Sequence, residues 1–158
     1  MKILEPLFQD VIEKLLKNNV QFLLIGGYAV NYHGYGRYTG DMDFWLNPTE
    51  ENKKHFLEAL SALKRHVDDI EKISTLDFTK AQVISMGEPP LRIDFLTRVN
   101  LVDFEDAWVK RNFLQLQNFS LPVVDYNHLI LTKFNTGRPK DKMDLEELQK
   151  INMNRKTE

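Results

Sequence analysis

The chain has 158 residues, 42% of them hydrophobic and 28% charged, which is long enough for a proper core and excludes a disordered or low-complexity polypeptide. A formal net charge of -2 gives no global basic footprint for an extended nucleic-acid groove. With no cysteine, disulfides and thiolate metal sites are excluded, and a reducing compartment fits.

The first residues interrupt their apolar positions with Glu5, Asp10 and Glu13, so they lack a signal-peptide core, and no run reaches membrane length. A cytoplasmic protein without a membrane partner is expected. Residues 6–18 place Leu7, Phe8, Val11, Ile12, Leu15 and Leu16 at helical spacing, with Pro6 in the first turn and Asn18-Asn19 at the end. Phe22 to Ile25 is a continuous apolar run, as in a fully buried strand, and it stops at Gly26-Gly27. Tyr28 to Tyr32 leaves room for one or two helical turns. In the next strand Asp41, Asp43 and Trp45 share one face, and Met42, Phe44 and Leu46 the other. Asn47 as cap and Glu50 reaching back predict a helix from Pro48 to about His66, with Phe56, Leu57, Leu60 and Leu63 on one face.

Asp68, Asp69 and Glu71 read as a solvated loop. Ala81 to Ser85 predicts a strand, residues 87–90 a turn, and Leu91 to Leu96 an alternating strand, so the two pair as a hairpin. Phe104 to Arg111 predicts a short helix capped by Asp103. Phe113 to Leu116 or Leu121 to Val124 adds edge strands, Pro122 favouring an edge for the second. From Asp125 the helical pattern returns with Leu129, Ile130, Leu131 and Phe134, breaks at Gly137-Arg138-Pro139, and resumes with Met143, Leu145, Leu148 and Ile151. No repeat or linker divides the chain. The expectation is one α/β domain over residues 1–158: a small mixed β-sheet flanked by helices, with a C-terminal helical pair.

The chemistry gathers around the glycine pair. Gly26 and Gly27 let the backbone turn and approach a ligand closely, and amides opening a helix are anion donors. Asp41 and Asp43, on one strand face, lie roughly 7 Å apart along the chain, within reach of shared or adjacent hard cations. Asp94 faces the same way in its own strand, and joins them if the two strands are neighbours. Arg37 and Thr39 stand just before the acids, where they could face a phosphate or sugar or simply form a turn. Lys133, Arg138 and Lys140 could offset triphosphate charge; in the competing reading Lys140 and Lys142 decorate a helix that Asp141 or Asp144 helps start. His33, His55, His66 and His128 show no ligand spacing. Tyr28, Tyr32, Tyr35 and Tyr38 read as aromatic packing over the sheet, with stacking on a base as the other use.

Gly26-Gly27, then Arg37-x-Thr39-x-Asp41-x-Asp43, then Asp94, resembles the polymerase-β nucleotidyltransferase superfamily. Within it, Gly-Gly-Tyr-Ala and the late segment Lys133-Phe134-Asn135-Thr136-Gly137-Arg138-Pro139-Lys140-Asp141 are similar to small bacterial nucleotidyltransferases of the AbiEii toxin type. The likeness runs from about Val20 to Leu148. One departure is that the superfamily's usual Gly-Ser is Gly26-Gly27, so the serine hydroxyl that helps hold a phosphate is missing.

The resemblance implies transfer of a nucleoside monophosphate from a triphosphate such as ATP to an acceptor hydroxyl on RNA, tRNA, protein or a small molecule. It implies two Mg²⁺ ions on Asp41, Asp43 and Asp94, with Asp94 also a candidate base. Gly26, Gly27, Arg37, Thr39, Lys133, Arg138 and Lys140 would bind the nucleotide. An antitoxin, or a second copy in a homodimer, would be the partner. A non-catalytic nucleotide-binding or interaction module on the same fold, and a metal-dependent phosphohydrolase, are the competing readings.

Overall fold

A computed structural model describes residues 5–64 and 67–157. Helix α1, Pro6–Lys17, buries Phe8, Val11, Ile12 and Leu15 on the predicted stripe. The wholly buried strand β1, Phe22–Ile25, follows and runs directly into α2, Gly26–Tyr32. Strand β2, Met42–Leu46, precedes α3, Glu50–Ala62. Then come α4, Val67–Ser74, and the hairpin of β3, Val83–Met86, with β4, Ile93–Leu96. Helix α5, Phe104–Val109, leads to β5, Asn112–Gln115, and β6, Ser120–Val123. Helices α6, Tyr126–Lys133, and α7, Pro139–Thr157, form the C-terminal pair.

The six strands lie in the order β3-β4-β2-β1-β6-β5. β1 runs antiparallel to β2, while β2 and β4 are parallel in a register that sets Asp43 opposite Asp94. The end of β1 therefore meets the beginnings of β2 and β4. One sheet face is sealed by an aromatic chain in which Phe22 meets Phe44, Phe44 meets Phe95, and Phe95 meets Phe56 of α3 at ring-centroid distances of 5.2, 5.8 and 4.8 Å. Trp45 points the other way and packs edge-on against Phe104 of α5 at 5.2 Å. Each fully buried ring contributes roughly 1.5–3 kcal/mol. That rigid backing fixes where Asp43, one residue before Phe44, points its side chain.

Several local expectations are corrected. Helix α3 is capped by Thr49, whose side chain accepts a hydrogen bond from the Asn52 amide; Asn47 instead donates to Gln21 and Glu105. Glu50 pairs with Lys53 rather than reaching back. The helix ends at Ala62, and Arg65 and His66 lie outside the described residues. The acidic stretch expected to be a loop is α4, because Ile70 and Ile73 pack on the core and give it an apolar side. Asp103 makes no side-chain cap.

Pro122 is not at an edge, since β6 lies between β1 and β5. The β1–β6 ladder registers at Leu24 and Val123, and the Val124 amide donates to the Leu24 carbonyl, so the bonding falls beyond the proline. Met143 is half exposed; α7 buries Asp141, Asp144 and Leu148. No described helix is long and apolar enough to cross a membrane.

Candidate functional site

Gly26 has a φ of +68°, a left-handed conformation that favours glycine, and a Cβ placed there would lie 2.2 Å from Asp43 Oδ2. Close approach of the β1 turn to the carboxylate thus demands glycine. At Gly27 the crowding comes from another side: an added Cβ would stand 2.1 Å from Thr39 Oγ1 and 2.5 Å from Thr39 Cβ. Thr39 fills the space a side chain at position 27 would occupy, and its hydroxyl lines the same cleft.

Asp43 and Asp94 are cross-strand neighbours, and Asp41 precedes β2 by one residue. Burial, then the charges of Asp94 and Asp41, push the Asp43 carboxyl up to about 7, against the pull of Lys133 and Arg92. Asp94 is itself buried. Its Oδ1 accepts from Ser85 Oγ at 2.6 Å and from Arg92 Nε at 3.0 Å, and its Oδ2 accepts from Arg92 Nη2 at 3.2 Å. The same guanidinium lies 3.9 Å from Asp41. Among the described residues no three acidic or histidine side chains already stand together as a metal cage. The oxygen-only donor set and the mutual repulsion recorded at Asp43 fit a hard divalent cation, provided that Arg92 gives up its fork on Asp94.

Three of the basic residues are tied to two aspartates of α7. Arg37 grips Asp144 with a fork, Nε to Oδ1 at 2.6 Å and Nη2 to Oδ2 at 2.8 Å. Lys133 Nζ lies 2.8 Å from Asp144 Oδ2 and 3.2 Å from Asp141 Oδ1. Asp141 also accepts from Thr136 Oγ1 and Arg138 Nε, each at 2.7 Å. Burial raises both aspartates, but the hydrogen bonds and charges around them outweigh it and hold them below the usual carboxylate range. Three cations share two carboxylates, and the charge of one of them, Lys133, also reaches Asp43.

Asp144, Arg92 and Ser85 carry this geometry and were not singled out from the sequence. The available signal for the first was the spacing of Asp141, Asp144 and Leu148, which puts two acids on the buried face of a helix. Of the histidines, His33 is buried at the end of α2 with Nε2 2.8 Å from the Val124 carbonyl oxygen. Tyr28 packs against Phe8 in the core, and Tyr38 is exposed.

Two clefts open on either side of this cluster. One, about 390 Å³, is lined by Gly26, Gly27, Thr39, Asp41, Lys133 and Lys140 among others. The second, about 600 Å³, shares Gly26, Asp43, Lys133, Arg138 and Asp141 with it and continues past Asp94. All ten residues expected at a site therefore line one or the other. Among the described residues, a separate cavity of about 340 Å³ between α4 and β3 has Asp69 as its sole carboxylate and no convergence of acids.

The family described as "Nucleotidyl transferase of unknown function (DUF2204)" matches residues 6–158. Among solved structures, the chain is similar to the lincomycin-bound lincosamide antibiotic adenylyltransferase LnuA, with a TM-score of 0.52 and 15% identity over 93% of this chain and 97% of that one. A Thermotoga maritima chain, TM1012, described as a putative nucleotidyltransferase, aligns with a TM-score of 0.49 and 12% identity over 95% and 89% of the two chains. No curated protein matches.

Proposed function

The chain belongs to this nucleotidyl transferase family, and from that premise we propose that it moves a nucleoside monophosphate from a triphosphate such as ATP to an acceptor hydroxyl with Asp41, Asp43 and Asp94 as its catalytic carboxylates. The observation that carries the assignment is the register of β2 and β4, which sets Asp43 beside Asp94 at the turn Gly26-Gly27.

Asp41 and Asp43 would hold one Mg²⁺, and Asp43 with Asp94 a second. Magnesium, when bound, neutralises the attacking and leaving oxygens. The chain's own residues do the positioning. Gly26 and Gly27 admit the phosphates, and Thr39 supplies the hydroxyl that a serine at position 27 would otherwise bring. Lys140 and Arg138 face the triphosphate, while Lys133 and Arg37, anchored on Asp141 and Asp144, present fixed positive charge. Asp94 takes the proton of the acceptor hydroxyl.

The wider assignment reads the chain as one cytoplasmic domain, akin to the AbiEii toxin type, whose partner is an antitoxin or a second copy. The test is incubation with each α-labelled nucleoside triphosphate, Mg²⁺ and cell extract. Label is expected on an acceptor with the wild type and is lost with Asp43→Asn at unchanged fold. Undiminished transfer by the variant removes Asp43 from the site.

A further inference from the structure

The two clefts that meet at Asp43 differ in chemistry. The 390 Å³ cleft is mostly polar, with Arg37, Lys133, Arg138 and Lys140 beside Asp41, Asp43 and Asp141; these cations suit a triphosphate, although Asp144 pairs with two of them. In the 600 Å³ cleft Arg98, Lys133 and Arg138 oppose Asp43, Asp94 and Asp141, and the formal charges cancel. Much of its remaining wall is apolar, from Val83, Leu96 and Val99. Asn100 at its mouth donates to the carbonyls of Leu131 and Phe134 at 3.2 and 2.8 Å, which ties the turn after α6 to the rim. Leu101 and Phe134, the chain neighbours of the lining residues Asn100 and Lys133, are 65% and 54% exposed.

A polynucleotide needs a row of surplus cations to neutralise successive phosphates, and this cleft has none to spare. Its volume instead falls in the range that accommodates drug-sized organic ligands, roughly 300–1,000 Å³. Apolar walls with a few converging polar groups are what such a ligand requires.

We propose that the 600 Å³ cleft holds the acceptor, and that the acceptor is a small organic molecule with a hydroxyl group and an apolar face rather than an RNA or a protein chain. The inference rests on the nucleotidyl-transfer reading. The acceptor oxygen forms a bond to the α-phosphorus as the bond from that phosphorus to the β-phosphate oxygen breaks. Pyrophosphate leaves with the bonding electron pair, and the hydroxyl proton passes to Asp94. No oxidant or reductant enters.

The test supplies α-labelled ATP and the other α-labelled nucleoside triphosphates with Mg²⁺ to three fractions of one cell extract: total RNA, total protein, and the molecules that pass a dialysis membrane. Label on a discrete compound in the dialysable fraction is the expected result. Label on RNA or protein overturns the small-acceptor inference and leaves nucleotidyl transfer standing; no label in any fraction overturns both. Val99→Trp, which fills the cleft away from the triphosphate side, is a second readout. It raises KM for the dialysable acceptor by about tenfold or more while nucleotide affinity, measured by calorimetry, stays within about twofold. An unchanged acceptor KM contradicts the placement.

Discussion

At the scale of single residues, the glycine pair is explained by what stands against it. Gly26 yields to Asp43 and Gly27 to Thr39, so the second glycine is forced by a threonine twelve positions later in the chain. Gly27→Ser alone should destabilise the protein by about 1–3 kcal/mol through overpacking, read as a lower midpoint in urea. Gly27→Ser with Thr39→Gly should recover most of that loss and keep nucleotide affinity, because one hydroxyl replaces the other; no recovery would show that Thr39 is not the obstacle.

Asp43 offers a second check. Its folded carboxyl keeps its proton up to about pH 7, whereas the unfolded chain releases it near 3.8, so the folded state binds more protons across that window. Stability is therefore lost as pH rises from about 4 to about 7, and stays level above that. With chelator present, Asp43→Asn should be more stable than wild type at pH 8, by up to about 4 kcal/mol, and nearly equal to it at pH 4. Equal stability at both pH values would mean that the carboxyl is not strained.

At the scale of elements, the strands that build the site were legible because their signals are local. A four-residue apolar run ending in glycine, and alternation through Asp43 and Asp94, each name a strand and a face. The sequence does not display pairings between distant segments. Arg37 and Asp144 are 107 residues apart, and nothing in either neighbourhood announces the fork between them. Their partnership also changes what the basic residues do: Lys133 and Arg37 hold α7 against the site loop.

Asp144→Ala leaves Arg37 and Lys133 without that shared, fully buried carboxylate, and should cost about 3–5 kcal/mol in denaturant unfolding. Glu147→Ala removes only the more exposed pair with Lys150 and should cost less than about 1 kcal/mol. Similar values for the two would deny α7 its anchoring role. Pro122 and the Asp69–Glu71 stretch depart from expectation for a related reason. Strand order decides whether a proline sits at an edge, and packing of Ile70 and Ile73 decides whether a polar run becomes a helix.

At the scale of the whole molecule, the antiparallel β1–β2 pair and the parallel β2–β4 pair bring a strand end and two strand beginnings to one place. A glycine turn, three carboxylates and the anchored cations meet there, with one polar, cation-lined cleft and a second whose wall is partly apolar. Such a division suits a reaction with two unlike substrates, and family membership gives the reaction its class.

Nucleotidyl transfer is tested most directly by following α- and γ-labelled nucleoside triphosphate in parallel, with Mg²⁺ and the dialysable extract. The account predicts α-label joined to an acceptor and γ-label recovered in pyrophosphate, in equal amounts. Recovery of γ-label as inorganic phosphate, with α-label left in the nucleoside diphosphate and none on an acceptor, would contradict it and make the chain a phosphohydrolase.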